Sequence, residues 1–218
     1  MLMTEKTARD LFRAAYENRN TWDSNFPGYT ADVTYKQGDT VYTGRVRVNP
    51  DSKADVLDVE DEQAKKAIAA QMWETAIHRV RYSFENTHKE NTFSYGATDE
   101  TGAVEILVGG KCEGDRYKVR DNVVTLVHRH IHGVVVTINT FSVNQTSEGY
   151  LAHRYDSVYH DPKTGEQKGG VSQFEDTFEN VNGYSILVGR VITTEANGKT
   201  HTDEYSFSNV KLLQPAVV

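Results

Sequence analysis

The stretch Val123–Ser142, VVTLVHRHIHGVVVTINTFS, decides the fold class of this chain. Its many β-branched residues favour extended backbone, and it predicts two successive strands, Val123–His132 and Val134–Ser142. Three histidines recur in it at a spacing of two, at His128, His130 and His132. Because successive side chains of a strand point to opposite faces, this spacing predicts three imidazoles on one face of a sheet, together with Val124 and Leu126.

Length and composition fit a single domain over residues 1–218. The chain has 218 residues, of which 38% are hydrophobic, and its mean hydropathy is −0.60. Such a polar composition suits an antiparallel sheet with one packed face and one wet face. All-β barrels and sandwiches of this size commonly form one unit.

The net charge and the N-terminal sequence limit which binding partners and which cellular compartment we expect. A formal net charge of −7 disfavours nucleic acid as a partner, because binding phosphates needs clustered cations. The single cysteine, Cys112, can form no intramolecular disulfide. We see no export signal in the opening MLMTEKTARDLF and no transmembrane segment, so we expect a protein of the cytoplasm or of an equivalent compartment.

The remaining periodicity predicts a mostly β, α+β fold. Apolar residues at helical spacing predict a helix over Thr4–Trp22 and a longer one over Glu60–Phe84, which is either continuous or bent. Arg79 and Arg81 are interpreted as charges that complement the negative end of the longer helix. Three strands lie between the helices, and the rest of the chain reads as strands separated by turn clusters. We therefore expect a strongly curved antiparallel sheet, or incomplete β-barrel, of about eleven strands, with an N-terminal helix and one long inserted helix.

A concave, apolar cavity with a few polar groups is typical of a small-molecule site, and this architecture predicts one between the sheet and its helices. The candidate lining residues on the helix are Met72 and Trp73. On the sheet they are His128, His130, His153, Tyr155 and Phe174.

Three other interpretations of the polar residues stay open. His128, His130 and His153 form a candidate set of ligands for zinc or a related ion, and no other cofactor is expected. A histidine could act as an acid or base against Asp156, Asp176 or Glu175. Histidines and tyrosines also suit half-buried sheet faces for structural reasons alone.

Two resemblances add to these patterns. The order of a helix, Trp22-Asp23, Phe26, Tyr29–Val33 and a hairpin that ends in Gly44–Pro50 resembles the opening of periplasmic lipoprotein-carrier proteins. That resemblance implies an unclosed antiparallel barrel, covered by helices, that holds acyl chains.

Over its whole length the chain is similar to a family of unknown function from cyanobacteria and plastids. The similarity lies in Asp10–Arg19 (DLFRAAYENR), His128–Thr140 and His153–Pro162 (HRYDSVYHDP). It implies a photosynthetic setting, with lipids, pigments or photosynthetic proteins as partners.

These observations predict a binding or carrier protein for an apolar or amphipathic small molecule, such as a lipid or a pigment, held between sheet and helices. One alternative is an enzyme that uses the cluster of His128, His130 and His153, with or without a bound metal. The other is an interaction module that docks on a photosynthetic protein complex.

Overall fold

The structure is a computed structural model that describes residues 6–214. The helices of this part of the chain are α1 (Ala8–Glu17), α2 (Glu62–Arg79) and α3 (Phe84–His88). The strands are β1 (Tyr29–Gln37), β2 (Thr40–Val48), β3 (Ala54–Leu57), β4 (Asn91–Thr98), β5 (Val104–Gly110), β6 (Arg116–Arg120), β7 (Val123–Ile131), β8 (Val134–Thr146), β9 (Gly149–His160), β10 (Gln167–Val181), β11 (Tyr184–Ala196) and β12 (Lys199–Leu212).

The strands form one antiparallel sheet in the order β3-β2-β1-β12-β11-β10-β9-β8-β7-β6-β5-β4. The order is linear from β3 to β4, so the hydrogen-bonded ladder does not close on itself. The predicted fold class is therefore confirmed: a mostly β, open antiparallel sheet with an N-terminal helix and one long inserted helix. The described residues contain twelve strands instead of about eleven.

Side chains at the helix ends explain where the helices begin and stop. Thr7 and Asp10 form a reciprocal capping box at the start of α1, and the Asp61 carboxylate accepts from two backbone N–H groups at the start of α2. The backbone of Val80 is extended, with ψ at 134°, and ends α2. Ser83 then caps the separate helix α3. The bent form of the predicted Glu60–Phe84 helix is thus the observed one.

The described chain divides into two compact units. Unit 1 contains residues 6–19, 82–173 and 195–199. In its core, the ring of Phe12 from α1 stacks on that of Tyr117 from β6 at 4.2 Å between centroids. The ring of Phe84 from α3 packs edge-on against Phe12. Both helices of unit 1 therefore pack on the sheet face that carries Tyr117.

Unit 2 contains residues 20–81, 174–194 and 200–214. Its core lies where α2 meets the sheet. From α2, Ala64, Ile68, Met72 and Ala76 are buried in it. Aromatic side chains of the β1 and β12 strands, among them Tyr29 and Phe207, complete this core. That residues 1–218 behave as a single domain stays a prediction.

Candidate functional site

A β-bulge in β7 places on opposite faces of the sheet some side chains that a regular strand would place on the same face. Val124 pairs with Val119 of β6, and Leu126 pairs with the preceding residue, Lys118, so Thr125 is the extra residue. An extra residue reverses the alternation of faces beyond it. The prediction that Val124 shares a face with Leu126 and the histidines is therefore wrong.

Beyond the bulge, His128 and His130 lie on the face opposite α1 and α3. Val127 pairs with Tyr117, whose side chain lies on the face that α1 and α3 cover. His128 follows Val127 by one residue, so its side chain points to the opposite face. His132 does not continue the row, because it lies in the turn after β7 with φ at 50°. Two of the three histidines thus share a face, as predicted, but it is not the face on which α1 and α3 pack.

Hydrogen bonds fix both imidazoles. His128 Nδ1 lies 2.8 Å from the Thr137 hydroxyl, and burial followed by the positive charge of Arg116 lowers its pKa. His130 Nδ1 lies 3.1 Å from Oδ1 of Asp115, whose side chain is only 3% exposed. A carboxylate in that position orients the imidazole and holds a proton on Nδ1, which leaves Nε2 to accept one. Asp115 is therefore the acidic partner of His130.

The structure does not bring His153 or Tyr155 to these two histidines. His128 pairs with Thr137, which in turn pairs with Val158 of β9. His153 lies at a bulge five residues before Val158, ~16 Å along the strand. Tyr155 lies an odd number of residues from Val158 and so points to the opposite face. Among residues 6–214, no group of three or more His, Cys, Asp or Glu side chains could hold a metal ion, and the candidate set of three histidines is not assembled.

Of the other predicted lining residues, Met72 and Phe174 belong to the core beneath α2, whereas Trp73 does not. Met72 is 1% exposed within the apolar cluster of unit 2, and Phe174 packs against that cluster while partly exposed. Trp73 is 63% exposed, because it follows Met72 by one position and lies on the outer side of α2.

Helix α2 covers only part of the apolar surface next to it. Four side chains of the β10–β11 hairpin pack against the core of unit 2 but stay partly exposed. We call them the apolar rim: Phe174, Phe178, Val181 and Tyr184. Phe174 and Phe178 lie on the same face of β10, since four residues separate them. The rim is the edge of an aromatic core that the protein itself leaves open.

Two arginines are buried among these apolar side chains, and Arg190 is fully paired. Its Nε and Nη2 donate to the two carboxylate oxygens of Asp176 at 2.8 and 2.7 Å. Its Nη1 donates to Gln71 of α2 at 2.9 Å. Glu74, also on α2, lies 3.9 Å away, and burial raises the pKa of this carboxyl.

Arg79, at the end of α2, is 5% exposed and only partly paired. Its Nη2 donates to Asn20 Oδ1 at 2.8 Å and to the Ser185 carbonyl at 3.1 Å. Its Nε and Nη1 are buried and have no hydrogen-bond partner. The guanidinium lies 5.4 Å from the Trp22 ring and 5.5 Å from the Phe178 ring. Burial lowers the pKa of Arg79 to about 10, so it remains charged at neutral pH.

The candidate lining residues predicted from the sequence do not include Arg79, Phe178 or Tyr184. The sequence interpretation gives Arg79 only the role of complementing the negative end of the helix, although its spacing from Ile68, Met72 and Ala76 places it on the buried stripe of α2. That spacing is the signal that could have identified it. Phe178 follows Phe174 by four residues on one strand, so the alternation of faces already grouped them.

No helix within residues 6–214 is both long enough and apolar enough to cross a membrane. None of the curated proteins matches this sequence significantly. The sequence profile of DUF3386, a family described as a protein of unknown function, matches residues 3–213.

Two solved structures are similar over almost their whole length. A LolA superfamily protein from Nitrosomonas europaea is 9% identical, with 96% of this chain and 95% of that chain covered and a TM-score of 0.40. A domain assigned to outer membrane lipoprotein sorting from Vibrio parahaemolyticus is 8% identical, with 94% and 92% covered and a TM-score of 0.33.

Proposed function

We propose that this chain, which belongs to the DUF3386 family of unknown function, is a binding or carrier protein that holds an apolar or amphipathic small molecule against the apolar rim beside α2. One observation carries this proposal: aromatic side chains continuous with the core of unit 2 remain partly exposed on the β10–β11 hairpin. An apolar molecule lying there would extend the core outward, with Phe174 and Phe178 as its floor.

The apolar surface of the rim determines how large a binding free energy we expect. Complete burial of a large apolar side chain stabilises by about 1.5–3 kcal/mol. Because Phe174 and Phe178 are already partly buried, a ligand that covers either of them gains only part of this energy. Removing one ring is therefore expected to weaken binding by about tenfold, which corresponds to about 1.4 kcal/mol.

The test uses 1-dodecanol, a neutral amphiphile, and isothermal titration calorimetry. We expect wild-type protein to bind it and the variants F174S and F178S to bind it about tenfold more weakly. The matched control is F141S, which removes an exposed phenylalanine of unit 1 (64% exposed) far from the rim in the chain. An equal loss in F141S would contradict the proposal, and so would a wild type that binds neither this alcohol nor a carboxylate or phosphate with the same apolar chain.

The finer parts of the proposal concern the ligand and its setting. The ligand is a lipid or a pigment, the compartment is the cytoplasm or the plastid stroma, and the partners belong to a photosynthetic setting. Native mass spectrometry of protein purified from its source tests the first part through the mass of a bound organic molecule. Fractionation and pull-down from thylakoid extract test the others.

The contact between His130 and Asp115 favours a second candidate function, an enzyme with His130 as general base. A half-exposed imidazole oriented by a buried carboxylate can accept a proton at Nε2. Hydrolysis of p-nitrophenyl butyrate is the measurement, and both H130Q and D115N should abolish it. If the wild type does not hydrolyse the ester, or if H130Q retains the wild-type rate, this candidate is rejected.

A further inference from the structure

The two buried arginines of unit 2 differ in how their charge is balanced. Arg190 makes a two-point ion pair with Asp176. For Arg79, by contrast, no ion pair with a carboxylate is found in the part of the chain that the structure describes, and its acceptors are a neutral amide and a carbonyl oxygen. The side chains have the same exposed fraction, 5%, so burial alone does not explain the difference.

The unpaired nitrogen atoms of Arg79 can donate several hydrogen bonds to a ligand. A guanidinium carries five N–H donors, and its Nε and Nη1 together hold three of them. Both atoms are buried without a partner. Buried donors of a charged group are strongly destabilising when they are left unsatisfied, so a native fold normally provides an acceptor for them.

The position of these donors connects them to the apolar rim. The guanidinium lies 5.5 Å from the ring of Phe178, which is itself a member of the rim. The ring of Trp22 also lies 5.4 Å from this guanidinium. A molecule that lies against Phe178 would therefore bring one of its ends close to a cation that has free donors.

Building on the proposed function, we propose that Arg79 is the recognition site for an anionic head group, so that the ligand of this chain is an amphiphile with a carboxylate or a phosphate at one end. The apolar part lies on the rim, and the anion accepts hydrogen bonds from Nε and Nη1 of Arg79. Both kinds of head group match the planar donor geometry of a guanidinium.

The experiment compares ligands that share one apolar chain. Dodecanoate, dodecyl phosphate and 1-dodecanol are titrated by calorimetry at pH 7.5, each below its critical micelle concentration. We expect at least one of the two anions to bind the wild type about tenfold or more tightly than the alcohol, as hydrogen bonds to a buried charge allow. The anion with the larger preference identifies the head group, and an anion-to-alcohol ratio near one for both overturns the inference.

Substitutions then assign the preference to Arg79. R79M removes the guanidinium and keeps an unbranched apolar side chain, so we expect its anion-to-alcohol ratio to fall to about one. R81M is the matched control, because Arg81 is an exposed arginine two residues away that donates to Thr21. Its ratio should equal that of the wild type. A wild-type ratio in R79M, or an equal fall in R81M, overturns the inference.

The ratio is measured within each variant, so general effects on folding cancel. If R79M does not fold, R79K keeps the positive charge but lacks the Nε and Nη1 donors, and we expect a lower ratio than that of the wild type; an unchanged ratio overturns the inference. If internal water satisfies Arg79, dodecanol still binds but neither anion is preferred, which rejects this inference and leaves the proposed function standing. If no ligand of the three binds the wild type, the proposed function itself is rejected.

Discussion

Lowering the pH from 7 to 4 should destabilise the fold through one buried histidine, His88. Its side chain is 4% exposed and is enclosed by the rings of Phe12, Tyr16, Phe84 and Phe93, with centroids 4.9–5.8 Å away. Burial, followed by the positive charge of Arg129, lowers the pKa of His88 to about 4. The folded state therefore keeps this imidazole neutral.

The hydrogen bonds around His88 require the neutral form independently. The Asn91 side chain accepts at Oδ1 from the backbone N–H of Cys112, which fixes the orientation of its amide. Its Nδ2 then donates to Nδ1 of His88 at 3.1 Å. A protonated imidazole has no acceptor atom, so protonation would break this bond.

The sign and the size of the effect follow from linkage. The unfolded chain takes up a proton near pH 6.5, whereas the folded chain does so only near pH 4. The stabilisation from neutral His88 is therefore complete above pH 6.5 and is lost as the pH falls from 6.5 to 4. Each pH unit in this window corresponds to about 1.4 kcal/mol, so the total loss is about 3 kcal/mol.

The assay is urea unfolding of wild type, H88Q and H132N at several pH values between 7 and 4. Carboxylates also titrate at the acidic end, and the difference between variants removes their contribution. We expect the free energy of unfolding of H88Q to fall by about 3 kcal/mol less than that of the wild type. H132N changes an exposed turn histidine and should follow the wild type. If H88Q and the wild type lose equal stability across this window, the reasoning about His88 is wrong.

Three further predictions concern the unfolding free energy, measured by urea denaturation. F12A removes the ring that stacks on Tyr117 and should cost about 3–5 kcal/mol, whereas a loss below about 1 kcal/mol would show that the stack contributes little. G149A should destabilise by more than about 1 kcal/mol, since φ there is +111° and an added Cβ would clash with the Asn18 carbonyl oxygen; a neutral effect would show that this clash does not arise. D176N leaves the buried guanidinium of Arg190 with a weaker acceptor and should lower the free energy of unfolding by about 3–5 kcal/mol. Retention of wild-type stability would show that this ion pair is not needed for the stability of the fold.

Much of the fold could be predicted because local patterns determine it. The apolar stripe of α1 at Ala8, Phe12 and Ala15 is the buried face of that helix. Frequent turn residues separate the strands, and consecutive strands pair from β4 to β9 as a meander requires. These elements depend on neighbours in the sequence, and such patterns are visible in one chain.

The candidate site was less predictable, because its properties depend on pairing and on burial. The bulge at Thr125 becomes visible only when β7 is aligned with β6, so the regular alternation placed Val124 and His128 on one face. His153 lies at another irregularity, between β8 and β9. Arg79 could be placed on the buried stripe of α2, but whether acceptors meet its guanidinium depends on Asn20 and Ser185, which are distant in the sequence.

The extra residue in β7 makes the length of this strand as important as its composition. Loss of Thr125 would restore the simple alternation and turn over every later position of the strand. Leu126 and His128 would then be presented to the helices, and Val127 and Arg129 to the opposite side. A related sequence can carry single substitutions in β7 without moving the other side chains to a different face. The gain or loss of one residue, by contrast, would swap the side chains on the two faces of the strand.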